Sequence, residues 1–232
     1  DMSSFLPEMI TNGFRRISDA ADIHIPNGYF ENITFNGDGT NYTYLSGFGQ
    51  GWPDLQGDEH NITGQYDMTI KLPPVPFEGT YEIRWAIPTF ESRGMAQFYI
   101  GTNKNNLPAV GLPIDLRLYP KNPTIGWESD KNKDEVQINE NDKTMRNHGY
   151  MKPPKHDGTT GGGIVTASLR DNSMENYLRV RKIIYTGSIK PSDVVYVRVK
   201  SVLKSTNTQF VMDWIELVPK SIYNGKDLED KW

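Results

Sequence analysis

Gly79-Thr80-Tyr81-Glu82-Ile83-Arg84-Trp85-Ala86-Ile87 alternates strictly, with Tyr81, Ile83, Trp85 and Ile87 on one face and Glu82, Arg84 and Ala86 on the other. A period of two marks a half-buried strand, so this stretch predicts a strand over 80–87 with Trp85 in the core. Residues 194–200 repeat the pattern: Val195, Val197 and Val199 face in, while Tyr196, Arg198 and Lys200 face out. Such alternation belongs to an antiparallel sheet with one wet face. Working outward, further β-type runs occupy 29–35, 42–45, 64–72, 96–100, 112–118, 164–169, 177–185 and 210–218, bounded by Gly, Pro, Asn and Asp. With no periodic helix between them, an all-β antiparallel sandwich or barrel is expected.

Two segments interrupt this pattern. Residues 3–16 read as a short N-terminal helix, with Ser3 or Ser4 as cap, apolar Phe5, Leu6, Met9 and Ile10, and Asn12-Gly13 as its end. Residues 119–163 form one long inserted loop, running from Tyr119-Pro120 through a charged stretch at 128–143 to Gly161-Gly162-Gly163. Loops of that length usually carry function or move. The expected division is a linker and helix at 1–22, a β-sandwich at 23–220 and a tail at 221–232.

The 232 residues fit one large sandwich. Lys plus Arg is 25 and Asp plus Glu 29, a net charge of −4 without long blocks of one sign, which argues against electrostatic binding of nucleic acid. Mean hydropathy is −0.60. No apolar run approaches the roughly 20 residues of a membrane span, so no direct membrane insertion is expected. The start, Asp1-Met2-Ser3-Ser4, has no charged region followed by an apolar one, so any signal or lipid anchor lies outside this chain. With no cysteine, the chain has no disulfides, thiolate metal sites or cysteine nucleophiles.

Gly79 to Trp85, followed by Arg93-Gly94-Met95-Ala96-Gln97-Phe98-Tyr99-Ile100-Gly101, resembles a strand pair of galactose-binding-like jelly-roll domains and carbohydrate-binding modules. Tyr177-Leu178-Arg179-Val180 and Phe210 to Pro219 resemble that fold's closing strands. More narrowly, Phe5-Leu6-Pro7-Glu8, Gln56-Gly57-Asp58-Glu59, Arg93 to Tyr99 and Met145-Arg146-Asn147-His148-Gly149-Tyr150-Met151 are similar to the module following fasciclin-type domains in Bacteroidetes surface lipoproteins. The resemblance implies a jelly-roll β-sandwich at the cell surface, exported or carried by an outer-membrane lipoprotein. It implies no defined ligand.

Three candidate sites follow. Trp52 and Trp127 lie in Gly-flanked stretches outside the expected strands, with Asp54 close by and Tyr42, Tyr44 and Tyr150 to extend the surface. Flat rings beside polar groups stack on the apolar face of a sugar; the competing reading makes them plugs covering the sheet. Asp213, expected among Val211, Ile215 and Leu217, is a buried carboxylate that needs a partner. A structural calcium shared with Glu31 or Asp22 is one reading; an arginine such as Arg93, or backbone amides, is the other. Asp130-Lys131-Asn132-Lys133-Asp134 echoes a calcium loop, but Glu135 replaces its glycine and Asn141 its bidentate glutamate, so it reads as a solvated loop.

Catalysis has little to stand on. Asp54, Asp58 and Glu59 cluster in sequence, which does not set the carboxylate separation a glycosidase needs. His24, His60, His148 and His156 show no metalloprotease spacing, and no G-x-S-x-G occurs. Asn32, Asn41 and Asn61 open glycosylation sequons in form. The sequence-level expectation is a non-enzymatic surface module whose partner is a carbohydrate or a surface protein, without a cofactor apart from the calcium reading. The alternative is a structural spacer or protein-interaction domain beside a fasciclin-type neighbour.

Overall fold

A computed structural model describes residues 13–17, 32–35, 41–46, 58–153, 159–160, 163–164, 169–171, 179–205, 207–212 and 215–223. The strands are β1 Gly13–Ile17, β2 Ile33–Phe35, β3 Asn41–Ser46, β4 Asp58–Thr63, β5 Asp67–Lys71, β6 Gly79–Pro88, β7 Met95–Gly101 and β8 Ala109–Asp115. The helix α1 Glu135–Asn147 follows, then β9 Tyr150–Met151, β10 Thr159–Thr160, β11 Gly163–Ile164, β12 Arg179–Ile189, β13 Tyr196–Ser201, β14 Gln209–Met212 and β15 Ile215–Pro219. Every described strand pair is antiparallel. Three larger sheets run β2-β5-β13-β7-β8, β15-β6-β12-β9 and β1-β3-β4-β14.

The alternation read from the sequence seats the main core. Met68 and Ile70 of β5, Phe98 and Ile100 of β7 and Val197 and Val199 of β13 meet Tyr81, Ile83, Trp85 and Ile87 of β6 in one buried cluster. An aromatic group ties the sheets together. The Trp85 ring lies 5.3 Å from Phe98 and 5.6 Å from Phe210, so each of the three larger sheets supplies one ring. This is an all-β, antiparallel, sandwich-like fold.

Four expectations change. The N-terminal helix, expected to reach residue 16, gives way over its last residues to β1, paired with β3 from Gly13 opposite Ser46 to Ile17 opposite Tyr42; residues 1–12 lie outside the described residues. The glycine that signalled the helix's end instead begins a strand. The expected strand at 210–218 is two strands in different sheets: β14 pairs with β4, and β15 with β6. Strands that switch sheets make the corners of a sandwich. Of the strand expected at 164–169, Ile164 belongs to β11 and Leu169 opens a 3-10 turn at Leu169–Asp171, while residues 165–168 lie outside the described residues.

The fourth change is the inserted loop, which contains α1 and β9. Asp134 caps α1 by accepting from the Gln137 amide, and the Gln137 side chain accepts from the Asp134 amide, a reciprocal capping box. Helical periodicity missed α1 because its buried residues are only Asn141 and Met145. Asn141 secures the helix by polar contacts, donating to the Gly126 carbonyl at 2.7 Å and accepting from the Glu128 amide at 3.2 Å.

Candidate functional site

The insertion builds a second core. Trp127 is 2% exposed and packs with Ile125, Met145, Tyr150 and Val180. Trp127 and Tyr150, expected at a sugar-binding surface, are therefore plugs. The turn at 119–127 folds Trp127 inward, and β9 pairs Tyr150 with Lys182 of β12. Burial, with the Asp115 charge, pushes the Tyr150 hydroxyl up to about 12.

Charged side chains lock the insertion in place. Lys152, 0% exposed at its side chain, lies 2.5 Å from Asp130 and 3.5 Å from Asp142. Arg170 reaches the same two carboxylates, at 2.6 Å from Asp130. Burial opposes the Arg170 charge, but Asp142 and Asp130 outweigh it and hold the guanidinium above its ordinary range. Asp130, expected in a solvated loop, is thus a half-buried anchor. A second group joins Glu82 and Arg84 of β6 to Arg146 of α1, while Arg181 of β12 pairs with Glu216 of β15. Tyr223 lies over the Arg146 guanidinium at 3.8 Å. The two groups are linked, because Arg181 donates from Nε to the Lys152 carbonyl at 2.8 Å.

Several expected site residues escape description. Trp52, Asp54, Glu31, Asp22 and Asp213 lie outside the described residues, as do the side chains of Tyr42 and Tyr44; those two sit on β3, opposite Ile62 and His60 of β4. Arg93, weighed as a partner for Asp213, donates to the Gln209 side chain. Among the described residues no three acidic or histidine side chains are grouped to hold a metal.

A different surface gathers aromatic and charged side chains: the outer face of β2-β5-β13-β7-β8. Register puts Arg198 between Thr69 and Tyr99, Lys200 between Asp67 and Gln97, and Tyr196 between Lys71 and Gly101. Arg198 donates to both oxygens of Asp67, each at 2.6 Å. That pairing outweighs burial and keeps the Arg198 guanidinium above its usual range. The guanidinium also lies 5.5 Å from the Tyr99 ring centroid. Tyr99 and Tyr196 are both half-exposed. They stand diagonally across the β7–β13 ladder, a spacing of about 7–8 Å. Leu107 and Pro108 occupy the space where a Cβ on Gly101 would project, walling one end of the face. From the same connection Lys104 donates to the Thr34 hydroxyl of β2 at 2.8 Å. Gln97 is committed to the edge, its amide donating to the carbonyls of Phe98 and Val110 beside the register shift in β7–β8.

The alternation of 194–200 had already turned Tyr196, Arg198 and Lys200 outward. What the sequence did not show was that β13 runs between β5 and β7, which brings Asp67 and Tyr99 beside them. Compared with protein-family models and with curated proteins, the chain matches none. The likeness to galactose-binding-like modules therefore stands on its quoted motifs alone.

Proposed function

We propose that this protein is a non-catalytic cell-surface module of the galactose-binding-like jelly-roll type that binds carbohydrate on the outer face of its five-stranded sheet. The observation that carries the reading is the pair of half-exposed tyrosines, Tyr99 of β7 and Tyr196 of β13, on one face with the Arg198–Asp67 pair that pins β13 to β5 beside them. Aromatic rings take the apolar side of a pyranose, and fixed polar groups set its orientation. Rigid strands hold these groups without an ordering cost at binding. This site replaces the loop-aromatic platform, whose Trp127 and Tyr150 are spent on packing.

The test is a glycan array probed with the protein and with Tyr99→Ala, Tyr196→Ala and Trp52→Ala variants, each checked by circular dichroism. Loss of binding with either sheet tyrosine, and retention with Trp52→Ala, supports the reading. Binding lost only in Trp52→Ala moves the site to the loops. No binding by folded protein to any glycan leaves the spacer or protein-interaction role as the better account.

A further inference from the structure

Resting on that carbohydrate reading, we infer that the sheet face selects an acidic polysaccharide, a chain carrying carboxylate or sulfate groups on its sugars. The inference comes from charge. The chain as a whole carries −4. Among the described residues, this face and its rim instead gather Lys71, Lys104, Arg198 and Lys200 around one carboxylate, that of Asp67. At the β8 edge Asp115 is matched by its own partner, Arg117, through two bonds of 2.8 and 2.6 Å, so it does not offset that excess.

The cations are also available. Lys200 is half-exposed and only 3.8 Å from the Asp67 carboxylate that Arg198 already holds in its fork. Lys71 is exposed and has no ion-pair partner among the described residues. These ammonium groups flank the two tyrosines in the register, Lys71 beside Tyr196, and Lys200 two positions along β13 from Arg198, which stands opposite Tyr99 of β7. A polymer of charged sugars offers both an apolar ring face and an anion at each repeat. Rings over Tyr99 and Tyr196 bring those anions within reach of lysines on either side. On a chain whose net charge is −4, a cationic strip on one face favours an anionic ligand there.

Polygalacturonate and its methyl ester share a backbone and differ in charge, so they separate this inference from the reading beneath it. Affinity is measured by isothermal titration over a range of salt concentrations, with dextran sulfate against dextran as the sulfate arm and double-stranded DNA as a polyanion without exposed sugar faces. The expected result is binding of an acidic polysaccharide at least tenfold tighter than its neutral counterpart, weakening as salt rises. Lys71→Ala and Lys200→Ala are each expected to weaken it about three- to tenfold and reduce the salt dependence, and Tyr99→Ala to weaken acidic and neutral forms alike. Preference for the carboxylated or the sulfated polymer names the anion. Equal binding of acid and ester, lost in Tyr99→Ala, overturns the charge selection and leaves carbohydrate binding standing. Binding of DNA as tight as that of the polysaccharides, or binding unaffected by both lysine changes, overturns the inference. No binding by any polysaccharide overturns both.

Discussion

Arg198 of β13 holds Asp67 of β5 diagonally, because the ladder sets Arg198 opposite Thr69 and Asp67 opposite Lys200. A guanidinium matches both oxygens of a carboxylate, which an ammonium cannot do. Arg198→Lys keeps the charge and loses the fork. Because Arg198 is 33% exposed and Asp67 10%, the expected loss is modest, about 1 kcal/mol. Urea denaturation checks it as a lower midpoint with an unchanged slope; an unchanged midpoint would show that the two-bond geometry adds nothing beyond the charge.

Trp127 separates packing from hydrogen bonding. Its ring is buried, while its indole N–H has no hydrogen-bond partner within the described residues. Trp127→Ala removes the largest side chain of the second core and is expected to cost about 3–5 kcal/mol. Trp127→Phe keeps most of the apolar contact and forfeits no bond, so it is expected to cost well under half as much. Thermal unfolding of the two variants tests this. Similar losses in both would point to a hydrogen bond from the indole.

The same residue shows where the sequence was legible. Strict alternation located β6 and β13 and seated Trp85 in the core; β13 is half-buried as expected, whereas β6 is buried on both faces, with Glu82, Arg84 and Ala86 covered as well as the core side chains. Trp127 carries no such periodic context. Glycine neighbours look alike whether a turn exposes a ring or folds it inward, and the outcome depends on α1, whose own anchor is the polar Asn141. The sheet-face site was half legible. Outward parity named Tyr196, Arg198 and Lys200, but Asp67 and Tyr99 join them only through pairing between strands far apart in the chain.

Lys152 is an ammonium group buried between Asp130 and Asp142. Removing one partner from a buried ionic group leaves the others without compensation, at a cost of about 3–5 kcal/mol. Lys152→Met is expected to destabilise by that amount even though methionine fills a similar volume. Adding Asp142→Asn in the Lys152→Met background is expected to recover part of the loss, since it deletes the carboxylate that Arg170 alone must then satisfy alongside Asp130. A double-mutant cycle measures the coupling. Strictly additive effects would mean that Lys152 and Asp142 do not interact energetically.

Lys182 gives the fold a pH dependence of defined sign. Its ammonium donates to the His148 carbonyl at the end of α1 at 3.0 Å and lies 3.9 Å from the Tyr150 ring centroid. Burial makes the charged form costly and lowers its pKa from 10.5 to about 8. Below that value the amine is protonated in folded and unfolded chains alike. Above it, and until the unfolded amine titrates, the unfolded chain holds more protons, so Lys182 makes stability rise with pH between about 8 and 10. Tyr150 acts in the opposite sense at higher pH, because its hydroxyl stays protonated in the fold after the unfolded phenol ionises. The stability of the protein relative to Lys182→Met, read from denaturation midpoints, is therefore expected to rise as pH goes from about 8 to 10. An NMR titration of the Lys182 Cε signal reads the group directly, and a midpoint in the ordinary lysine range would refute the burial argument. Gly149 supplies the second arm: its φ is +75°, and a Cβ there would fall 2.7 Å from the Lys182 Nζ. Gly149→Ala is expected to cost about 1 kcal/mol for the left-handed backbone, and to push the amine toward solvent so that its titration moves back up.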